Sequence, residues 1–167
     1  ERAGAGCIVL CTNTMHKVAD AITAATALPF IHIADATAAA ICATGLRRVG
    51  LLGTRFTMEE PFLRDRLVEQ HGLEVLVPGA ADRAVVNRVI YEELCLGVVR
   101  EESRAQYRAV IERLEMEGAE GVILGCTEIT LLVGQGDSPV PLFDTTRLHA
   151  LAAVEFALAD AQTRQAQ

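Results

Sequence analysis

Tryptophan is absent, and two tyrosines and five phenylalanines make up the whole aromatic content. A ligand site built as an aromatic cage is therefore a poor expectation. Long hydrophobic runs are missing too. No apolar stretch approaches the roughly 18 residues that cross a bilayer, and the opening residues do not read as a charged-then-apolar signal segment. Positive charge is scarce. Fifteen Lys/Arg stand against 22 Asp/Glu, for a formal charge of −7 without any Lys/Arg run, so neither nucleic acid nor a membrane is an expected partner. Five cysteines is an odd count. None forms a C-x-x-C pair, which argues against a disulfide scaffold and for a reducing, cytoplasmic setting. Cys11, His16, His32, Cys126 and His149 offer no ligand-like spacing for a metal. No phosphate loop of the G-x-x-x-x-G-K type occurs, and Gly4-Ala5-Gly6 precedes its strand instead of following it.

What is present is a folded globule. Hydrophobic residues make up 51% of 167 positions and charged residues 22%, a balance suited to one domain or two small lobes. Short apolar runs alternate with amphipathic segments. Strands are expected at Cys7–Leu10, Phe30–Ile33, Val49–Leu52, Glu74–Val77, Val122–Leu124 and Val140–Phe143. Helical spacing places Met15, Val18, Ala19 and Ile22 on one face, and Tyr107, Val110, Ile111 and Leu114 on another. Thr57-x-x-Glu60 reads as a capping box, Gly72 as a helix stop, and Asp82 and Asp144 as helix caps. Strand–helix alternation of this kind predicts a parallel α/β fold. The opening residues ERAGAG read as a helix end, from which we expect further chain to precede Glu1.

An internal repeat organises the chain. Gly4–Asn13 (GAGCIVLCTN) matches Gly118–Thr127 (GAEGVILGCT) without a gap. Each copy is a helix end, a Gly/Ala turn, a strand, and then small polar residues. Two such units predict two pseudosymmetric lobes that present the carboxyl ends of equivalent strands to one cleft. We expect residues 1–45 plus 144–167 in one partial lobe and 46–143 in the other. The second copy puts Cys126 where a helix is expected to begin, a position that depresses a thiol's pKa and makes Cys126 the most reactive of the five. The first copy ends Cys11-Thr12-Asn13-Thr14, an expected anion cradle, with His16 either supporting it or lying on the helix surface. Cys7 and Cys42 read as small core residues.

These motifs, with LCTNTMHKVADAI, LPFIHIADAT, LLGTRFTM, IYEELCLG and GVILGCTEI, resemble the aspartate/glutamate racemase family, in particular its enterobacterial aspartate/glutamate or broad-specificity amino-acid branch. The resemblance implies a racemase that needs no cofactor. It inverts Cα of a small amino-acid substrate by two-base proton transfer across the cleft, and a homodimer is one assembly it allows. Most of the family uses two cysteines, in Cys-Asn-Thr and Gly-Cys-Thr motifs. Here the residue before Asn13-Thr14 is Thr12, and the gap-free repeat pairs Cys126 with Thr12, leaving Cys11 to point into the packing. If Gly125 is a one-residue insertion, Cys11 becomes the partner instead. Candidate catalytic residues are thus Cys126 with Thr12 or Cys11. Asn13, Thr14, Thr54, Thr127, Glu128 and Tyr91 are the candidate substrate-binding residues. Cys95 stands where some aspartate racemases carry a lysine, which argues against strict aspartate selectivity. Hydantoin racemase or maleate isomerase chemistry, or a non-catalytic module that binds small acids, are the alternatives.

Overall fold

The structure is a computed structural model that describes residues 1–165, with side chains to residue 159. It is a mixed α/β protein with two parallel sheets. The first sheet has two strands, β1 (Ile8–Val9) and β2 (Phe30–Ile31). The second has four, in the order β4-β3-β5-β6: β3 (Arg48–Gly53), β4 (Glu74–Leu76), β5 (Gly121–Gly125) and β6 (Leu142–Asp144). From β3 the chain moves out to β4, then returns to β5 on the other side of β3. The β3/β5 boundary is therefore a topological switch point, where α/β sheets open a crevice beyond the carboxyl ends of their strands. Register pairs Gly53 with Gly125 at those ends.

Alternation along β3 and β5 fills two cores. Leu52, Val122 and Leu124 pack under α5 (Ala80–Glu92) and α6 (Glu101–Met116), against Val86, Val89, Ile90, Val110, Ile111 and Leu114. Tyr107 joins them, its hydroxyl donating to the Val86 carbonyl. Val49, Leu51, Ile123 and Phe143 face the other way, onto α2 (Ile33–Ala43) and α4 (Pro61–His71). A strand buried on both faces must read as a continuous apolar run, as these do. The helix α1 (Ala19–Ala24) is short, and α7 (Thr145–Gln165) closes the chain and lies along α2. We keep the lobe division at 45/46 and 143/144 as a proposal about folding units. Across it, α2 reaches over to cover one face of the four-stranded sheet. No helix among the described residues is long and apolar enough to cross a membrane.

The two copies of the repeat begin alike. Gly4 and Gly118 both take positive φ (78° and 97°), and each donates its N–H to the carbonyl three residues back at 2.8 Å. Among the expected caps, Gly72 ends α4 in the left-handed region, and Asp144 accepts from the Arg147 N–H at the head of α7. The box expected at Thr57 and Glu60 does not form. Thr54 instead caps a five-residue helix, α3 (Arg55–Glu59), by accepting from the Thr57 N–H. Glu60 precedes α4 without a side-chain capping bond, and Pro61 supplies the first-turn preference. Asp82 lies inside the first turn of α5, with Gly79 at the cap.

Candidate active site

A cavity of about 300 Å³ opens at the carboxyl ends of β1, β3 and β5. It is lined by Cys11, Thr12, Asn13 and Thr14 after β1, Thr54 after β3, and Gly125, Cys126, Thr127 and Glu128 at the end of β5; Ile90, Tyr91 and Cys95 complete it from the end of α5 and the turn beyond. Every candidate catalytic and binding residue named from the sequence lies on this one wall. Ile90 was hidden there as an ordinary helix-face apolar residue.

Cys126 is buried, and its thiol donates to Glu128 Oε2 at 2.9 Å. Burial, together with the Glu128 carboxylate that accepts its proton and repels a thiolate, pushes the thiol up to about 12. Depression was the expectation, and it is corrected here for two reasons. The segment after Cys126 is a three-residue 3-10 turn (Ile129–Leu131), not an α-helix, so no macrodipole of useful length points at the sulfur. The adjoining side chain is also an anion. The Glu128 carboxyl lies below its ordinary range, because hydrogen bonds from Cys126 and Thr127 outweigh its partial burial.

Between Val9 and Asn13 the strand alternation stops. The Thr12 N–H donates to the Leu10 carbonyl at 2.8 Å, a three-residue turn centred on Cys11. Among the described residues none other than glycine has positive φ, so it is the common inverse form. Past such a turn, neighbours no longer point to opposite faces. Cys11 is accordingly exposed and lies beside Thr12 on the cavity wall, correcting the expectation that it packs inward. Cys7 and Cys42 are half-buried at the margins instead of fully within a core.

Asn13 is buried. Its Nδ2 donates to Thr145 Oγ1 at 3.0 Å, and that hydroxyl donates onward to the Leu124 carbonyl at 2.8 Å. Because Thr145 spends its proton on Leu124, it can only accept from Asn13, which fixes the amide's orientation. Asn13 Oδ1 is then left as a buried acceptor with no partner, a state that costs about 1–3 kcal/mol unless a ligand relieves it. Thr145 itself escaped notice in the sequence, since a helix-start threonine carries no signal of a partner more than a hundred residues away.

Three hydroxyls meet where the chain segments after β1 and β3 converge. Thr14 Oγ1 lies 3.2 Å from Thr54 Oγ1 and 3.3 Å from Thr57 Oγ1, and the last two are 3.2 Å apart. Thr14 and Thr54 line the cavity, and Thr57 stands fully buried behind them. The cluster offers short neutral donors of the kind that hold a carboxylate. Tyr91 is nearly half exposed at the rim. Cys95 is exposed, and partial burial together with Glu128 raises its thiol pKa. His16, far from lying on a helix surface, is 3% exposed and bonded to the Thr12 carbonyl.

The family model for Asp/Glu/hydantoin racemases matches residues 1–153. A candidate Asp/Glu racemase from Yersinia pestis, known as a crystal structure, is 60% identical and superposes with a TM-score of 0.90 over 94% of this chain and 68% of its own. An aspartate racemase homologue from Pyrococcus horikoshii OT3 is 41% identical, with a TM-score of 0.84 over 93% and 68%. The glutamate racemase of Francisella tularensis subsp. tularensis SCHU S4, solved with D-glutamate, shares the fold at 17% identity, with a TM-score of 0.68 over 95% and 58%. An uncharacterized protein of Pectobacterium carotovorum is 33% identical over 105 residues, 63% of this chain and 68% of its own. The chain belongs to the Asp/Glu/hydantoin racemase family.

Proposed function

We propose that this chain racemises aspartate, glutamate or a related amino acid without a cofactor, by proton transfer at Cα in the 300 Å³ cavity. The observation that carries the reading is the meeting, in one cavity, of a Cys126–Glu128 pair from one sheet and the Cys11-Thr12 turn from the other. Racemisation needs an acid and a base on opposite faces of a planar carbanion, and equivalent ends of two repeated units are suited to supply them.

The steps follow from the groups present. The substrate's α-carboxylate takes hydrogen bonds from Thr14 and Thr54, and its ammonium donates to the unpaired Asn13 Oδ1. Thr127 adds a further hydroxyl, and Tyr91 lies at the side-chain end. A thiol held near 12 is not a base at neutral pH, so Cys126 first passes its proton to Glu128, 2.9 Å away. The thiolate then takes the Cα proton, and the electron pair delocalises into the carboxylate as the centre flattens. Thr12, or Cys11 beside it, returns a proton to the other face, and the proton left on Glu128 passes through solvent to the alkoxide or thiolate so formed, which restores the starting state. In the reverse direction Cys126 is the acid, the role its raised pKa favours.

The test is optical rotation of L- and D-aspartate and L- and D-glutamate incubated with the protein. Decay of the signal to zero from either enantiomer supports the reading. Saturable binding with no change of rotation would make the cavity a small-acid binding site instead.

A further inference from the structure

His16 belongs to the 3-10 segment Thr14–Val18, which turns its imidazole back over the chain it has just left. Nε2 lies 3.1 Å from the Ile33 backbone nitrogen, and Nδ1 lies 2.6 Å from the Thr12 carbonyl oxygen. A backbone N–H can only donate, so Nε2 is the acceptor and the ring proton sits on Nδ1, donating to Thr12. Both nitrogens are spent, one at each end of the ring. The anchor is firm: Ile33 is the first residue of α2, whose inner face at Ile33, Ala34, Ala38 and Ile41 is 0–1% exposed. The load has no strand of its own to hold it. Thr12 lies outside any strand, and its peptide is held by its N–H on Leu10 and its carbonyl on His16.

The surroundings keep the ring neutral. His32, His149 and Phe30 stand edge-on to it, at centroid distances of 4.4, 5.7 and 5.5 Å. Burial, with His149 and Arg66 repelling a positive charge, brings His16 down to about 4 against the opposing pulls of the Thr12 carbonyl and Asp35. A protonated ring could not accept from Ile33, so the tie to α2 holds only in the neutral form.

We propose that His16 is a positioning residue: a neutral Nδ1–H imidazole that pins the Leu10–Thr12 turn to α2 and so sets how Cys11 and Thr12 face the cavity. Its effect on rate rests on the racemase reading; its effect on the turn does not.

Two substitutions in the full chain separate the ring's two bonds. His16→Asn places an amide nitrogen near the position of Nδ1, so it keeps the bond to Thr12 and loses Ile33. His16→Gln places an amide oxygen near Nε2, so it keeps Ile33 and releases Thr12. Each leaves one buried backbone group unpaired, so both melt earlier by similar amounts, as a purely structural role would also require. Turnover distinguishes them. His16→Gln loses about tenfold or more in kcat with KM little changed, because a small displacement of a reacting group is costly, whereas His16→Asn stays within about threefold of the parent.

Iodoacetamide labelling of Cys11, mapped by mass spectrometry, reads the turn without reference to activity. Its rate shifts in His16→Gln and not in His16→Asn. Equal Cys11 rates in the two variants overturn the proposal, whatever the turnover. If the unaltered protein racemises nothing, the racemase reading fails and the Cys11 comparison still decides His16.

Discussion

Glu128→Gln removes the anion beside Cys126 while keeping the shape of the side chain. With the thiol held at about 12, only about one molecule in 10⁴ carries the thiolate at pH 8, against roughly one in four for an ordinary thiol near 8.5. Burial is the larger cause of that suppression and stays in the variant. What leaves is the charge of a carboxylate whose oxygen sits 2.9 Å from the sulfur. At that range, an effective dielectric near 20 gives a ceiling of about 4–6 kcal/mol. The glutamine oxygen still accepts a hydrogen bond, so a drop of about one to two pKa units is the reasonable share. Alkylation of Cys126 at pH 8 should then accelerate about 10- to 100-fold, since the thiolate is the nucleophile. The assay is iodoacetamide labelling between pH 6 and 11, with the rate at Cys126 followed by peptide mass spectrometry. An unchanged or slower Cys126 rate, or a parent midpoint below pH 9, would refute the reasoning.

Other expectations follow from single contacts. In the parent protein, exposed Cys11 is labelled before buried Cys126; the opposite order in the same mass-spectrometric assay would contradict a raised Cys126. Thr12→Ala should cost about 10²-fold in kcat, as loss of a general acid does, while Cys11→Ala stays within about twofold; the reverse result in a circular-dichroism racemisation assay would make Cys11 the partner of Cys126. A Cβ at Gly125 would stand 2.8 Å from the Leu52 carbonyl oxygen and 3.0 Å from Leu51 Cδ1. Gly125→Ala should therefore cost about 1–3 kcal/mol, seen as a melting point lower by several degrees, and an unchanged melting point would count against that packing. His16 and His32 are held near 4 and 3, chiefly by burial, against about 6.5 when unfolded. Their contribution is therefore complete above pH 6.5 and is lost as pH falls towards 4 and then 3. For His16 the loss at pH 4 has a ceiling of about 3 kcal/mol. Calorimetry should show that acid decline flattened in His16→Asn, and a parallel decline would refute it.

The strands of the central sheet were legible because both faces are buried. Val49–Leu52 and Val122–Leu124 had to be continuous apolar runs, and each came out within a residue or two at either end. The repeat was legible because its opening glycines do the same backbone work in both copies. What failed depended on contacts distant in sequence. Thr57 looked like a helix cap, yet the three-hydroxyl cluster and a short α3 gave that role to Thr54. Cys11 was assigned by strand alternation, a rule that lapses once the Thr12 N–H turns back to Leu10. The reactivity of Cys126 was argued from a helix that shrinks to one 3-10 turn, and from a charge environment without its own neighbour Glu128. His16 was legible as a support for the cradle from its place one turn after it, which its bond to the Thr12 carbonyl matches, but its second partner Ile33 becomes visible only when β2 brings α2 alongside.

Proton transfer at Cα by Cys126 is most directly read by solvent exchange. Aspartate and glutamate are incubated in D2O with the parent protein and with Cys126→Ala, and the loss of the Cα proton is followed by NMR. The parent should wash deuterium into Cα of at least one of these amino acids, and Cys126→Ala should wash in none. No exchange by the parent, or equal exchange by the variant, would contradict a Cys126-centred racemase.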